Sequence, residues 1–170
     1  MDDNQNKTIK YVNTGDVAIE GADTLLNSGA IGSCVVIVAY DSKSQIGAMA
    51  HIMLPGNAPE NYNFRSTKFA SNAVTEMMTQ LYNKGATNQN IKACLLGGSN
   101  ILKRDNDTIG NDNIKSVEEI LKDLNIKVCT KSLGGTERRT ALFNIAEGCV
   151  YYTKGDSKRK LLWNFKNSGY

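Results

Sequence analysis

A cysteine and the only histidine of this 170-residue chain stand at matching places in two neighbouring apolar runs. Cys34 closes the turn Ser28-Gly-Ala-Ile-Gly-Ser-Cys34 and opens the run Val35–Tyr40; His51 lies near the end of the run Ile46–Pro55, and the polar stretch Asp41–Gln45 separates the two. If the runs pair as a hairpin about that stretch, thiol and imidazole reach about the same level, since the arms are nearly equal and each residue advances about 3.3 Å. A thiol becomes a strong nucleophile only as thiolate, so an imidazole that takes its proton switches it on. Backbone N–H groups of Gly32-Ser33-Cys34 could then hold a developing oxyanion, and glycine before the nucleophile lets a substrate carbonyl approach closely. The reaction class is acyl transfer. The competing reading of Cys34 alone is a small buried hydrophobe at a strand end.

The run Ile31-Gly-Ser-Cys-Val35, followed by Gly47-Ala-Met-Ala-His-Ile-Met-Leu-Pro55, resembles the CheD family, the chemoreceptor glutamine deamidases of bacterial and archaeal chemotaxis. The similarity continues in order through Leu96-Gly97-Gly98-Ser99, Ile109-Gly110 with Asn113, and Leu133-Gly134-Gly135 leading to Arg139 and Phe143-Asn144-Ile145. The resemblance implies Cys34 as nucleophile, His51 as base, and a threonine hydroxyl six residues before the cysteine to orient the ring. That position holds Ser28, which keeps the hydroxyl and loses the methyl that restricts its rotamer. Thr24 and Asn27 are alternative orienters, and an ordinary turn serine is the bland reading of Ser28. Glu137-Arg138-Arg139 also departs from the family, which often has glycine before the arginine.

The resemblance further implies hydrolysis of glutamine side-chain amides on the cytoplasmic helices of chemoreceptors, and a CheC-type phosphatase as partner. Gly32, Ser33, Gly97, Gly98 and Phe64 are the expected substrate and oxyanion positions. Phe64 is an aromatic in a polar loop near the sole histidine; it could instead staple the helix that follows. A regulatory module that docks and stimulates the phosphatase with weak catalysis of its own is the alternative function, and a general cysteine protease a more distant one.

Composition narrows the classes. A net charge of +3, with lysines and arginines dispersed apart from Lys158-Arg159-Lys160, speaks against nucleic-acid binding. The polar N-terminus lacks a signal-peptide stretch and no segment approaches a membrane span, so a cytoplasmic protein without membrane insertion is expected, and a monomer. The cysteines other than Cys34, namely Cys94, Cys129 and Cys149, sit in strand-like settings and read as small core residues in a reducing compartment. With one histidine and no Cys-x-x-Cys, neither a metal nor any cofactor is expected.

The positioning elements follow from periodicity. A strand is expected at Asp16–Glu20, then a loop to Ser28, then the hairpin. The irregular stretch 55–64, carrying both prolines, either walls the site or is a plain connector. A helix is expected over 66–83 with Phe69, Ala73, Met77 and Leu81 at i+4 spacing, and a second over 112–124 capped by Asn111 or Asp112, with Ile114, Val117, Ile120, Leu121 and Leu124 on one face. Strands are expected at 91–96, 127–132, 139–145, 149–154 and near 161–165. The whole reads as one α+β domain over residues 1–170, with 1–9 and 166–170 flexible; the resemblance implies two packed mixed sheets flanked by two or three helices.

Overall fold

The computed structural model describes residues 6–167; of the termini expected to be flexible, 1–5 and 168–170 lie outside the described residues. The chain forms ten strands and two helices among those residues, an α+β arrangement of two five-stranded sheets as expected. In chain order these are β1 (Thr8–Tyr11), β2 (Val17–Glu20), β3 (Thr24–Ile31), β4 (Val35–Asp41), β5 (Ile46–Ile52), α1 (Ala70–Asn83), β6 (Ile91–Gly97), α2 (Ile109–Asp123), β7 (Lys127–Leu133), β8 (Arg139–Asn144), β9 (Cys149–Lys154) and β10 (Lys160–Asn164). One sheet runs β2-β5-β4-β6-β7 and the other β1-β3-β8-β9-β10; both are mixed, since β6–β7 and β1–β3 pair in parallel.

The apolar pattern explains the layering. β4 is buried along its whole length, which suits a central strand covered on both faces. On one face Val35, Ile37 and Ala39 pack against α1 residues such as Ala73, Met77 and Leu81, and α2 residues Val117 and Leu121. On the other, Val36, Val38 and Tyr40 join Met49, Cys94 and Leu96 to meet Leu26, Phe143 and Val150 of the second sheet. The order is therefore helices, first sheet, second sheet. Arg139 crosses between the sheets: 2% exposed, its guanidinium donates to the hydroxyls of Ser99 and Ser132 and to the carbonyl of Gly134.

Three local expectations are corrected. The stretch before Ser28 is strand β3 rather than loop, because Leu25, Leu26 and Ile31 have a core to enter and pair with β8. The first helix starts at Ala70, after a 3-10 turn over Ser66–Lys68, because Phe69 is extended and bridges to Leu54. The second starts at Ile109, and neither Asn111 nor Asp112 caps it: the flanking residue is Thr108, whose hydroxyl donates to Asp112 in the first turn. β1 (Thr8–Tyr11) was not expected; Ile9 and Tyr11 alternate with polar residues, but the run is only four residues long and all four are exposed.

Candidate active site

The hairpin β4–β5 forms in the register that pairs Val36 with His51 and Val35 with Ile52. Opposed residues share a face; Cys34 stands in the bend just before the ladder and packs against the same cluster as Val36, the partner of His51. Both lie at one end of the layer between the sheets; Cys34 is half-buried there and His51 is 1% exposed. The imidazole is oriented by main chain: Nδ1 donates to the Val12 carbonyl at 3.0 Å. Nε2 makes no hydrogen bond of normal geometry among the described residues, although the Ser28 main chain is near enough to bear on the ring.

The segment Val12–Asp16 wraps this histidine. Val12 N–H donates to Asn27 of β3, Gly15 N–H donates to the His51 carbonyl, and His51 N–H donates to the Asp16 carbonyl. Thr14, within that turn, is the one side chain that bears on the Cys34 thiol and favours its thiolate. Burial pushes the Cys34 thiol above the ordinary thiol range, with Thr14 and the backbone of Cys34 itself pulling the other way. Burial likewise lowers the His51 pKa, against the opposing pull of the Val12 and Ser28 backbones and the Asp16 charge. Burial thus works toward the neutral form of each group, lowering the imidazole pKa and raising that of the thiol.

The turn that carries Cys34 is held by its carbonyls. The Gly32 carbonyl accepts from Ser99 N–H at 2.9 Å and the Cys34 carbonyl from Gly98 N–H at 2.7 Å. The Ser33 carbonyl accepts from the side-chain amide of Asn113 at 3.0 Å. Glycines permit this close strapping: Gly97 has φ +114°, and a Cβ there would stand 2.1 Å from the Cys34 carbonyl oxygen; Gly98 has φ +68°, and its Cβ would strike Ile114 at 2.4 Å.

Ser28 meets His51 through its backbone, which bears on the imidazole, while its hydroxyl is engaged elsewhere. The register of β3 against β8 shifts between Asn27 and Ala30, and there the Ser28 Oγ accepts from Ala141 N–H at 2.8 Å and donates to the Gly29 carbonyl at 2.8 Å. The hydroxyl thus fills a ladder position that the bulge leaves open. Of the alternative orienters, Asn27 accepts from Gly29 N–H, and Thr24 begins β3.

Comparison with known proteins places the chain in a family. A family model described as CheD chemotactic sensory transduction matches residues 53–154, which begins two residues beyond His51. A protein of Chlorobium luteolum named "Probable chemoreceptor glutamine deamidase CheD" is 33% identical over 152 residues, 89% of this chain and 76% of that protein. One from Archaeoglobus fulgidus with the same name is 38% identical over 137 residues, 77% of this chain and 85% of its own. The Thermotoga maritima "Chemoreceptor glutamine deamidase CheD" is 30% identical over 145 residues, 85% of this chain and 91% of its own. The chain belongs to the CheD family.

Within this CheD chain, Cys34, His51, Ser28, Gly32, Ser33, Gly97 and Gly98 converge on one end of the hairpin. Phe64 is linked to it only indirectly. It is 79% exposed and stacks on Tyr62, which in turn stacks on Phe69 ahead of α1, so the packing that Phe64 could have supplied comes from Tyr62. The cleft beside the nucleophile turn, about 290 Å³, is lined instead by Ser33, Ser99, Ile101, Leu102 and Asp107. Ile101 and Leu102 were missed by sequence reasoning, although an apolar pair inside the polar stretch after Gly98 was a visible signal. Asn113, quoted only as part of the resemblance, had a stronger one: it shares the buried stripe of α2 with Gly110, Val117 and Leu121. Thr14 and the Val12 carbonyl had none. No cluster of His, Cys, Asp or Glu able to hold a metal occurs among the described residues, and no helix there is long and apolar enough to cross a membrane.

Proposed function

We propose that this chain hydrolyses glutamine side-chain amides of chemoreceptors to glutamate, with Cys34 as nucleophile and His51 as general base. His51 Nε2 takes the thiol proton as sulfur attacks the carboxamide carbon; the resulting oxyanion is held by backbone N–H of the Ser33-Cys34 turn. The imidazolium returns the proton to nitrogen, the C–N bond breaks and ammonia leaves a thioester. Water, deprotonated by the same imidazole, attacks the thioester; glutamate departs and the thiol is restored. Ser28 holds its part of β3 against the ring through the bulge. The observation that carries this reading is the hairpin register, in which His51 pairs with Val36 while Cys34, just ahead of β4, packs on the face that Val36 occupies. The comparisons support it through the names of relatives that share most of the chain.

The exposed apolar pair Ile101 and Leu102 beside Ser33 suits a receptor helix that presents its glutamine to Cys34. A CheC-type phosphatase offering a helix to the same rim would compete with the receptor. Mass spectrometry of a receptor cytoplasmic fragment, before and after incubation, reads the replacement of an amide NH2 by OH. The expected result is conversion that Cys34→Ala and His51→Ala abolish. Conversion that survives Cys34→Ala would overturn the mechanism, and addition of the phosphatase should inhibit in a way that excess receptor relieves.

A further inference from the structure

Asn113 is fully buried, and its side-chain amide makes two donations, to the Ser33 carbonyl and to the Met53 carbonyl, each at 3.0 Å. Only the NH2 end can donate to two carbonyls, so the orientation of the amide is unambiguous. Its Oδ1 then stays buried with no partner. Leaving such an acceptor unsatisfied costs about 1–3 kcal/mol, and an apolar residue would suit the stripe it shares with Val117 and Leu121. The two carbonyls it grips belong to the residue before Cys34 and to the residue two beyond His51, so one side chain of α2 spans both arms of the site.

A trans peptide is planar, with its N–H pointing opposite to its C=O. Anchoring the Ser33 carbonyl toward α2 therefore aims the N–H of Cys34 the other way. The flanking carbonyls of Gly32 and Cys34 are held by backbone N–H groups, which leaves the middle peptide as the one positioned by a side chain. We infer that Asn113 is a positioning residue that aims the Cys34 N–H into the oxyanion site. This rests on the mechanism proposed above.

The variants to compare are Asn113→Ser, which keeps one donor, and Asn113→Asp, which keeps the shape but turns an oxygen toward two carbonyls. Val117→Ala is the control, because it loosens the same helix without touching the turn. Receptor-fragment deamidation is measured alongside the rate of Cys34 alkylation by iodoacetamide, a displacement at carbon in which no oxyanion forms. Asn113→Ser is expected to lose about tenfold to a hundredfold in kcat with KM within about twofold, while alkylation changes less than about threefold. Val117→Ala should keep kcat within about twofold at temperatures where it is folded. A folded Asn113→Ser with wild-type kcat overturns the inference, as does an equal kcat loss in Val117→Ala or a parallel fall in alkylation. If both Asn113 variants fail to fold while Val117→Ala folds, the residue is structural and the inference also fails. Wild-type activity that persists in Cys34→Ala would instead sink the underlying mechanism.

Discussion

His51 is oriented by Val12: the ring Nδ1 donates to that main-chain carbonyl at 3.0 Å, so in the neutral imidazole the lone pair resides on Nε2. Catalysis in this arrangement needs the uncharged ring. Because burial lowers its pKa, protonation that would silence the base occurs only below the ordinary imidazole range. The expected profile of kcat/KM is flat from about pH 8 down to about 6.5 and falls at lower pH. An acid limb centred at pH 7 or above would contradict the depressed pKa.

Thr14 is the one side chain that pulls the Cys34 thiol pKa down against its burial. Thr14→Val should therefore move the thiol further up and slow iodoacetamide labelling of Cys34 at fixed mildly alkaline pH by a factor of about two to ten, with Thr14→Ser restoring most of the rate. Thr14 is exposed, so the fold should be unaffected. Peptide-level mass spectrometry reads each cysteine separately, with the fully buried Cys94 as an inert internal reference. Identical labelling rates for wild type and Thr14→Val would remove Thr14 from the site.

Leu102 is 64% exposed and lines the cleft beside Ser33. Replacing it with serine removes apolar area that a docked helix would cover. Steady-state kinetics on a receptor fragment should show KM raised about threefold to tenfold with kcat nearly constant. A fall in kcat at unchanged KM would place the receptor elsewhere.

Ser28→Ala would leave the Ala141 N–H without its acceptor at the β3 bulge. A loss of about 1–3 kcal/mol in unfolding free energy is expected, which Ser28→Thr should largely recover. Denaturant titration measures it. Unchanged stability with lost activity would instead indicate that the hydroxyl acts on the imidazole directly.

Much of this protein was legible along the chain. Alternating and continuous apolar runs marked eight of the ten strands, the i+4 spacing of Ala73, Met77 and Leu81 marked the first helix, and the nearly equal arms marked the β4–β5 hairpin, because these are matters of local period and length. β1, a run of four exposed residues, and β3, expected as a loop, escaped; their places come from parallel pairing with each other and from the pairing of β3 with β8. The surroundings of the pair were decided only by tertiary structure. Val12 and Thr14 come from a preceding turn, Ser99 from beyond β6, and Asn113 from a helix some eighty positions away from Ser33 in sequence. Their roles depend on carbonyl directions and on which strands become neighbours, and neither leaves a mark in residue type. A polar residue on the buried stripe of α2 was visible at position 113; that its amide would grip the peptide ahead of Cys34 followed only once helix and sheet were packed.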